Sequence, residues 1–450
     1  MIRRYGGSHL APILATLPLA VFMALASREA GASAFQLKEN DAQGLGRSYA
    51  GSTAAPGDPA VIANNPAAMS EFRGPLVQAD VTAINFSTDF HGGGTDALGR
   101  PLSGGDGGNG GTTKPVPAIY AATPIGDRWR VGAAVTVPFG FETSYDHGWV
   151  GRYHAYKSQL QSLALTLSAS YAVSDELSLG ASLVAQRTHA NLTQAIDLGA
   201  VLAANPLLPP GYFLPQGADG FGGLDGDDWG YGWQAGLLWK PDANNRIGFN
   251  YHSQIDHTIE GDASFYIPDT VAQVLTSGGS TAFQDSGGRA DFDTPWFATL
   301  SWWHTLNERI SFGVDLSYTH WSSFRDLRVH FDNPDQPDSL EVFDYDNSLF
   351  GSIGMDYRLD DAWTLRGGLA IDGTPTHEST RDPRIPDATR RWLSLGIGYK
   401  ASEHTEFNLG YAHLFVNDSH IAATTVTGDT LIGHFESDGN LLAISGTYRF

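Results

Sequence analysis

His377 and Glu378 begin the H-E-x-x-H pattern of a helical zinc site, but Arg381 stands where the second histidine has to be. Asp225, Asp227 and Asp228 have the opening of a calcium loop and lack the later glutamate that completes it. Gly230-Tyr231-Gly232 with Gly236 imitates a phosphate-cradling loop, yet it lies in a strand pattern with no helix behind it. The 15 histidines are otherwise scattered, and the lack of cysteine removes thiol catalysis, iron–sulfur ligation and disulfides together. No catalytic residue, metal or cofactor is expected, and the chain does not read as an enzyme. Two proline motifs remain, Asn65-Pro66-Ala67 and Pro138-Phe139-Gly140. Their chemistry is a missing donor, since proline has no N–H to give.

From about residue 75 the chain that carries these motifs alternates with period two. Ile310, Phe312, Val314, Leu316 and Tyr318 alternate with Ser311, Gly313, Asp315, Ser317 and Thr319. Leu163, Leu165 and Leu167 alternate with Ala164, Thr166 and Ser168, and Leu442 and Ile444 with Ala443 and Ser445. One face is apolar, the other small and polar. Six tight polar turns, near Gly126, Asp175, Asp242, Asn307, Asp360 and Glu403, alternate with longer Gly-, Pro- and Asp-rich segments at 91–114, 196–228, 267–291 and 374–389. Short turns on one rim and long loops on the other predict an all-β fold, a transmembrane antiparallel β-barrel of about 14 strands. Closing the sheet satisfies every backbone N–H and C=O in lipid. Trp239, Trp302, Trp303, Trp321 and Trp363 near strand ends are expected at headgroup level, although Trp302 and Trp303 cannot both face lipid.

Composition agrees. The 450 residues include 53 glycines, 11% aromatics and only 17% charged residues. With 49 Asp+Glu against 27 Lys+Arg the net charge is -22, the wrong sign for a nucleic-acid partner. Residues 1–33 read as a secretory signal: Arg3 and Arg4, an apolar run from Leu10 to Ala26, then small residues. Export places the barrel in the outer membrane of a Gram-negative bacterium, amid its lipid and lipopolysaccharide, as a monomer. Residues 34–74 lack strand alternation but carry Phe35, Leu37, Leu45, Tyr49, Val61, Ile62, Met69 and Phe72. A barrel this wide has a lumen that its own side chains cannot fill, so this segment is expected as a plug, or hatch, inside the barrel of residues 75–450. Pro138 within a regular strand predicts a local loss of pairing. In a closed wall that is a hole, unless the proline only ends the strand at the extracellular rim.

Several motifs are then recognisable together. They are Ser33 to Leu37, Gly44 to Gly51, Asn65-Pro66-Ala67, Val137-Pro138-Phe139-Gly140 and Trp149 to Ala155. Trp229 to Trp233, Asp372 to Pro375, Ile385-Pro386-Asp387, Arg390 to Ser394 and the terminal Tyr448-Arg449-Phe450 continue the series. In this order, over nearly the whole mature chain, they resemble the long-chain fatty acid transport family of outer-membrane proteins, which includes aromatic-hydrocarbon uptake channels. The resemblance implies a hatch whose Asn65-Pro66-Ala67 meets the strand kinked at Pro138, Phe139 and Gly140. It also implies a polar network containing Asp372 and lateral release of substrate toward the bilayer; Arg390 is assigned to that network too, and the plain reading of Asp372 and Arg390 is a rim ion pair worth little. Leu207, Leu208, Tyr212, Phe213 and Leu214 are the expected capture surface.

Fatty acid binders of that family hold the carboxylate with lumenal Lys and Arg, and those positions are not matched here. The corresponding stretches offer Gln194 and Val342, with Glu341, Asp344 and Asp346 nearby. Arg187, His189 and Arg328 are the candidate substitutes. The expected partner is a hydrophobic small molecule, a long-chain fatty acid first and a neutral aromatic hydrocarbon second. A general diffusion porin or a surface adhesin is the reading from another class.

Overall fold

The computed structural model describes residues 34–450, so the signal segment 1–33 lies outside the described residues. Fourteen antiparallel strands close into a barrel. They are β1 (Leu76–Thr95), β2 (Thr113–Ile125), β3 (Trp129–Thr136 and Gly140–Ser144), β4 (Lys157–Ala172), β5 (Leu177–Asp197) and β6 (Asp219–Trp239). Next come β7 (Asn245–His252 and Ile255–Tyr266), β8 (Ser286–Thr294 and Phe297–Thr305), β9 (Ile310–Thr319 and Asp326–Phe331) and β10 (Ser339–Val342 and Ser348–Arg358). The last are β11 (Trp363–Asp372), β12 (Arg390–Lys400), β13 (Thr405–Val416 and Ser419–Thr424) and β14 (Thr430–Arg449). β14 returns to β1 in one unbroken register, Leu76 opposite Arg449 through Thr95 opposite Thr430, so the sheet has no free edge there. Among the described residues no helix is long and apolar enough to cross a membrane.

Burial is inverted relative to a water-soluble fold. Leu163, Leu165, Leu167, Leu183, Leu395 and Ile444 are exposed, while Ser162, Ser168, Ser170, Ser394 and Ser445 are buried. That is the arrangement expected when hydrocarbon bathes the outside and protein fills the inside. The segments expected as long loops are partly strand: β1 runs to Thr95 and β6 starts at Asp219. A span needs only ~9–11 residues, so 20-residue strands rise well beyond the bilayer. Out there no lipid demands an apolar face, and the alternation that marks a strand fades.

Residues 34–74 are largely buried and bond to inward side chains and carbonyls of strands around the barrel. Tyr120 of β2 donates to the Asn40 carbonyl at 2.8 Å, Ser168 of β4 to the Ile62 carbonyl at 3.0 Å. Thr53 and Ser301 meet at 2.7 Å, Gly51 N–H reaches Asp315 at 2.6 Å, and Ser48 reaches Ser394 at 2.7 Å. Arg47, fully buried, pairs with Asp58 at 2.8 Å and lies over the Trp303 ring. Trp303 therefore faces inward, while Trp302 stays on the outward side. Trp321 corrects the headgroup expectation, because it is wholly buried inside the barrel rather than placed at its surface.

Candidate functional site

The ladder between neighbouring strands breaks off where the sequence places Pro138. β2 and β3 pair from Ile119 opposite Val135 to Ile125 opposite Trp129. Beyond that point Thr113–Ala118 pairs with β1 and Gly140–Ser144 with β4, with no ladder between them among the described residues. Thr136 faces Ala164 and Gly140 faces Gln161, so β3 spends one residue more than its partner and bulges. Pro138 offers only its carbonyl, which accepts from Leu37 N–H at 2.8 Å. Gly140 N–H donates to the Phe35 carbonyl at 2.9 Å, and Phe139 N–H to Ser162 Oγ at 2.9 Å. The chain from Phe35 to Leu37 thus docks on the kink from the lumen side. Pro138 does not simply end the strand.

Asn65 is elsewhere. Its amide donates to the Thr53 and Leu237 carbonyls at 2.7 and 3.0 Å, and its carbonyl oxygen accepts from Ala67 N–H at 3.1 Å. Pro66 and Ala67 press on Gly180 and Gly236 of β5 and β6. These contacts hold the hatch to the wall away from the Pro138 kink, and residues 35–37 take the place at the kink that the resemblance gave to Asn65-Pro66-Ala67.

Phe35 sits in an aromatic cage. Its ring centroid lies 4.6 Å from Trp321, 5.8 Å from Phe292 and from Phe324, 5.9 Å from Phe141 and 6.2 Å from Phe139. Edge and tilted contacts of this kind are each worth ~0.5–1.5 kcal/mol beyond area burial. The space left over is about 30 Å³. Beside it, behind the open seam, a cavity of about 360 Å³ is lined by Leu37, Phe86, Val116, Phe141, Leu160 and Leu414.

Both spaces share one cation, Arg384. It comes from the 373–389 connection, which folds back into the barrel: Thr143 donates to the Arg384 carbonyl and Tyr145 to that of Pro383. The Arg384 guanidinium contacts Asp382 and the Gln194 side chain, and stands 3.8 Å from Glu341. Its Nε–H is buried with no partner. Burial opposes its charge, but Asp382 and Glu341 outweigh burial and hold it above its ordinary range. Glu341 belongs to the rim hairpin of β9 and β10, whose outward residues Asp326 and Arg328 are polar and stand clear of the apolar band. Though 34% of its side chain is exposed, burial pushes Glu341 up to about 7, against the pull of Arg384 and with help from Asp382.

The other candidates are dispersed. Arg390 donates to Asp387 at 2.7 Å and to the Ala34 carbonyl at 2.8 Å, so it clamps the start of the hatch. Asp372 is buried directly across the ladder from Arg390. Arg187 and His189 point out of the barrel, half exposed, toward Asp227 and Asp225. Arg328 is likewise open and faces Asp338 at the rim. None of these three reaches the cavities, which corrects their assignment as carboxylate partners. Leu207, Tyr212 and Leu214 are exposed, and Leu208 and Phe213 pack on Leu198, Leu202 and Val271 beneath them. Arg384, Trp321 and Phe35 carry no signal of period or spacing. The nearest pointer was the Ile385-Pro386-Asp387 motif beside Arg384.

Residues 23–450 match the family model described as outer membrane protein transport protein (OMPP1/FadL/TodX). The long-chain fatty acid transport protein of Salmonella typhi is 30% identical over 406 residues, which cover 88% of this chain and 90% of that one. The 47 kDa outer membrane protein of Pasteurella multocida is 32% identical over 407 residues, again 88% and 90% of the two chains. A crystal structure of a Pseudomonas aeruginosa FadL homologue aligns with a TM-score of 0.89 at 30% identity, over 93% of this chain and 100% of that one. The toluene transporter TodX of Pseudomonas putida aligns at 0.68 and 20% identity, over 93% and 100%, a likeness of fold alone.

Proposed function

The chain belongs to the outer membrane protein transport family (OMPP1/FadL/TodX) of Gram-negative outer-membrane channels for hydrophobic molecules, and from that premise we propose that its substrate is a long-chain fatty acid. The observation that carries this reading is Arg384. A neutral hydrocarbon needs apolar walls and nothing more, whereas a buried guanidinium with an unused N–H beside those walls is matched by a carboxylate. The name of the Salmonella typhi relative supports the same substrate.

The loop surface around Leu207, Tyr212 and Leu214 captures the chain. Displacement of Phe35 then opens the cage, where apolar burial at ~25 cal/mol per Å² supplies affinity. The substrate leaves through the seam beside Pro138, down its own gradient. Uptake of radiolabelled long-chain fatty acid by cells lacking their own transporter tests this reading, with and without excess alkylbenzene. Saturable uptake that alkylbenzene does not suppress is expected. Entry of alkylbenzene alone would reassign the protein to neutral hydrocarbons.

Two further results follow. Pro138→Ala combined with Gly140→Val restores a donor and stiffens β3, and should slow uptake about tenfold, or ~1.4 kcal/mol on the barrier. A wild-type rate would remove the lateral route. The second concerns pH. Glu341 is neutral below about 7 and anionic above it, so the charge competing for Arg384 disappears as pH falls. Binding of a long-chain alkyl sulfonate, itself anionic throughout, should strengthen about tenfold from pH 8 to pH 6. In Glu341→Gln the affinity should be flat over that range. A slope that persists would exonerate Glu341.

A further inference from the structure

The open seam between β2 and β3 is framed above and below. Below, the ladder ends at Ile119 opposite Val135. Above, Ser144 N–H at the end of β3 donates to the Gly110 carbonyl at 2.9 Å, joining β3 to the β1–β2 connection again. From Gly110 to Ile119 the frame spans on the order of 30 Å at ~3.3 Å per residue. One ion pair crosses it: Lys114 Nζ of β2 stands 2.7 Å from Glu142 Oε2 of β3. Half of the Lys114 side chain is open to its surroundings, while Glu142 is nearly enclosed.

We propose that Lys114 and Glu142 form the latch of this window, and that an anionic substrate opens it by taking the place of Glu142 at Lys114. The inference rests on the lateral exit proposed above and adds the residues that gate it. Both side chains line the same cavity of about 360 Å³ that Arg384 reaches. A carboxylate at Arg384 and the Lys114 ammonium thus share one cavity, which Arg390 also lines. An alkane or alkylbenzene has no charge to offer Lys114 and gains nothing by parting the pair. A ligand shifts an equilibrium only by its differential affinity for the two states, so the latch favours anions over neutral molecules of equal length.

The natural chain has no cysteine, so one placed at Val116, buried in the cavity, reports the window alone. Labelling of Val116→Cys by a maleimide dissolved in the bilayer needs no substrate and no transport. Adding Glu142→Gln or Lys114→Gln should speed labelling about fivefold, and the exchanged pair Lys114→Glu with Glu142→Lys should return it to the starting rate. Equal rates in all four proteins would overturn the latch, whatever the protein carries. In uptake, Glu142→Gln should raise alkylbenzene entry by a similar factor, and Lys114→Gln should lower fatty acid entry relative to alkylbenzene. An unchanged ratio would remove Lys114 from selectivity. If the unaltered chain moves neither compound, the transport reading fails, and the labelling rates still decide the latch.

Discussion

Exchanging Arg384 for methionine should lower saturable uptake of long-chain fatty acid at low concentration about 30-fold relative to the corresponding alcohol, equivalent to ~2 kcal/mol. Methionine keeps most of the volume and none of the charge. What is lost is a charge-assisted contact inside an apolar space, where such contacts are roughly twice as strong as neutral ones. An opposing cost must be separated from this. Asp382 also loses its partner, and stripping one member from a buried pair destabilises the 373–389 connection that carries it. Comparing acid with alcohol in the same variant cancels that cost, because both substrates meet the same damaged loop. Arg384→Lys should recover part of the acid's advantage: it restores a charge but not the fork that contacts Asp382 and Gln194 together. If acid and alcohol decline equally in Arg384→Met, the residue only shapes the cavity and the carboxylate is held elsewhere.

Strand parity shows what the sequence could and could not reveal about this site. On β5 the outward residues Leu179 and Leu183 are odd-numbered, and so are Arg187 and His189. Choosing Arg187 and His189 as carboxylate partners overlooked this parity, which puts both outside the barrel and Gln194 inside, where it touches Arg384. Parity ends at a break. Arg328 follows the interruption at His320–Arg325 in β9, so its face could not be counted from Asp315 and Thr319. The barrel, its short turns and the break at Pro138 were legible because each is enforced locally, by alternation, by turn chemistry or by a missing N–H. Arg384 and Trp321 were not. Their positions depend on a loop folding back and a strand kinking inward, and neither act leaves a period. The hatch was legible as a segment that must go somewhere apolar, but its seat depends on which wall positions lack side chains.

Those seats give the other large effect. Gly180→Val or Gly236→Val should unseat the hatch and turn a closed barrel into one that conducts ions across a planar bilayer. A Cβ at Gly180 would stand 2.2 Å from Ala67 N and 2.5 Å from the Pro66 carbonyl carbon, and at Gly236 it would stand 2.0 Å from Asn65 Oδ1. At Gly180 the obstacle is backbone, so no side-chain rotation relieves it and the whole turn must move. That movement breaks the bonds from Asn65 to the Thr53 and Leu237 carbonyls. Two buried hydrogen bonds at ~1 kcal/mol each, with ~1–3 kcal/mol of overpacking, come to about 3–5 kcal/mol against the seated state. The wall itself is held by continuous ladders such as the one between β1 and β14, and should still assemble. Gly93→Ala supplies the control, because a Cβ there meets nothing within 4 Å. Steady ion current in the valine variants, with quiet membranes for the parent and for Gly93→Ala, would establish that the seated hatch closes the lumen. Large steady current through the parent would make the chain an open diffusion porin instead. Quiet valine variants would mean that the contacts at Ser48, Gly51 and Thr53 hold the hatch without Asn65.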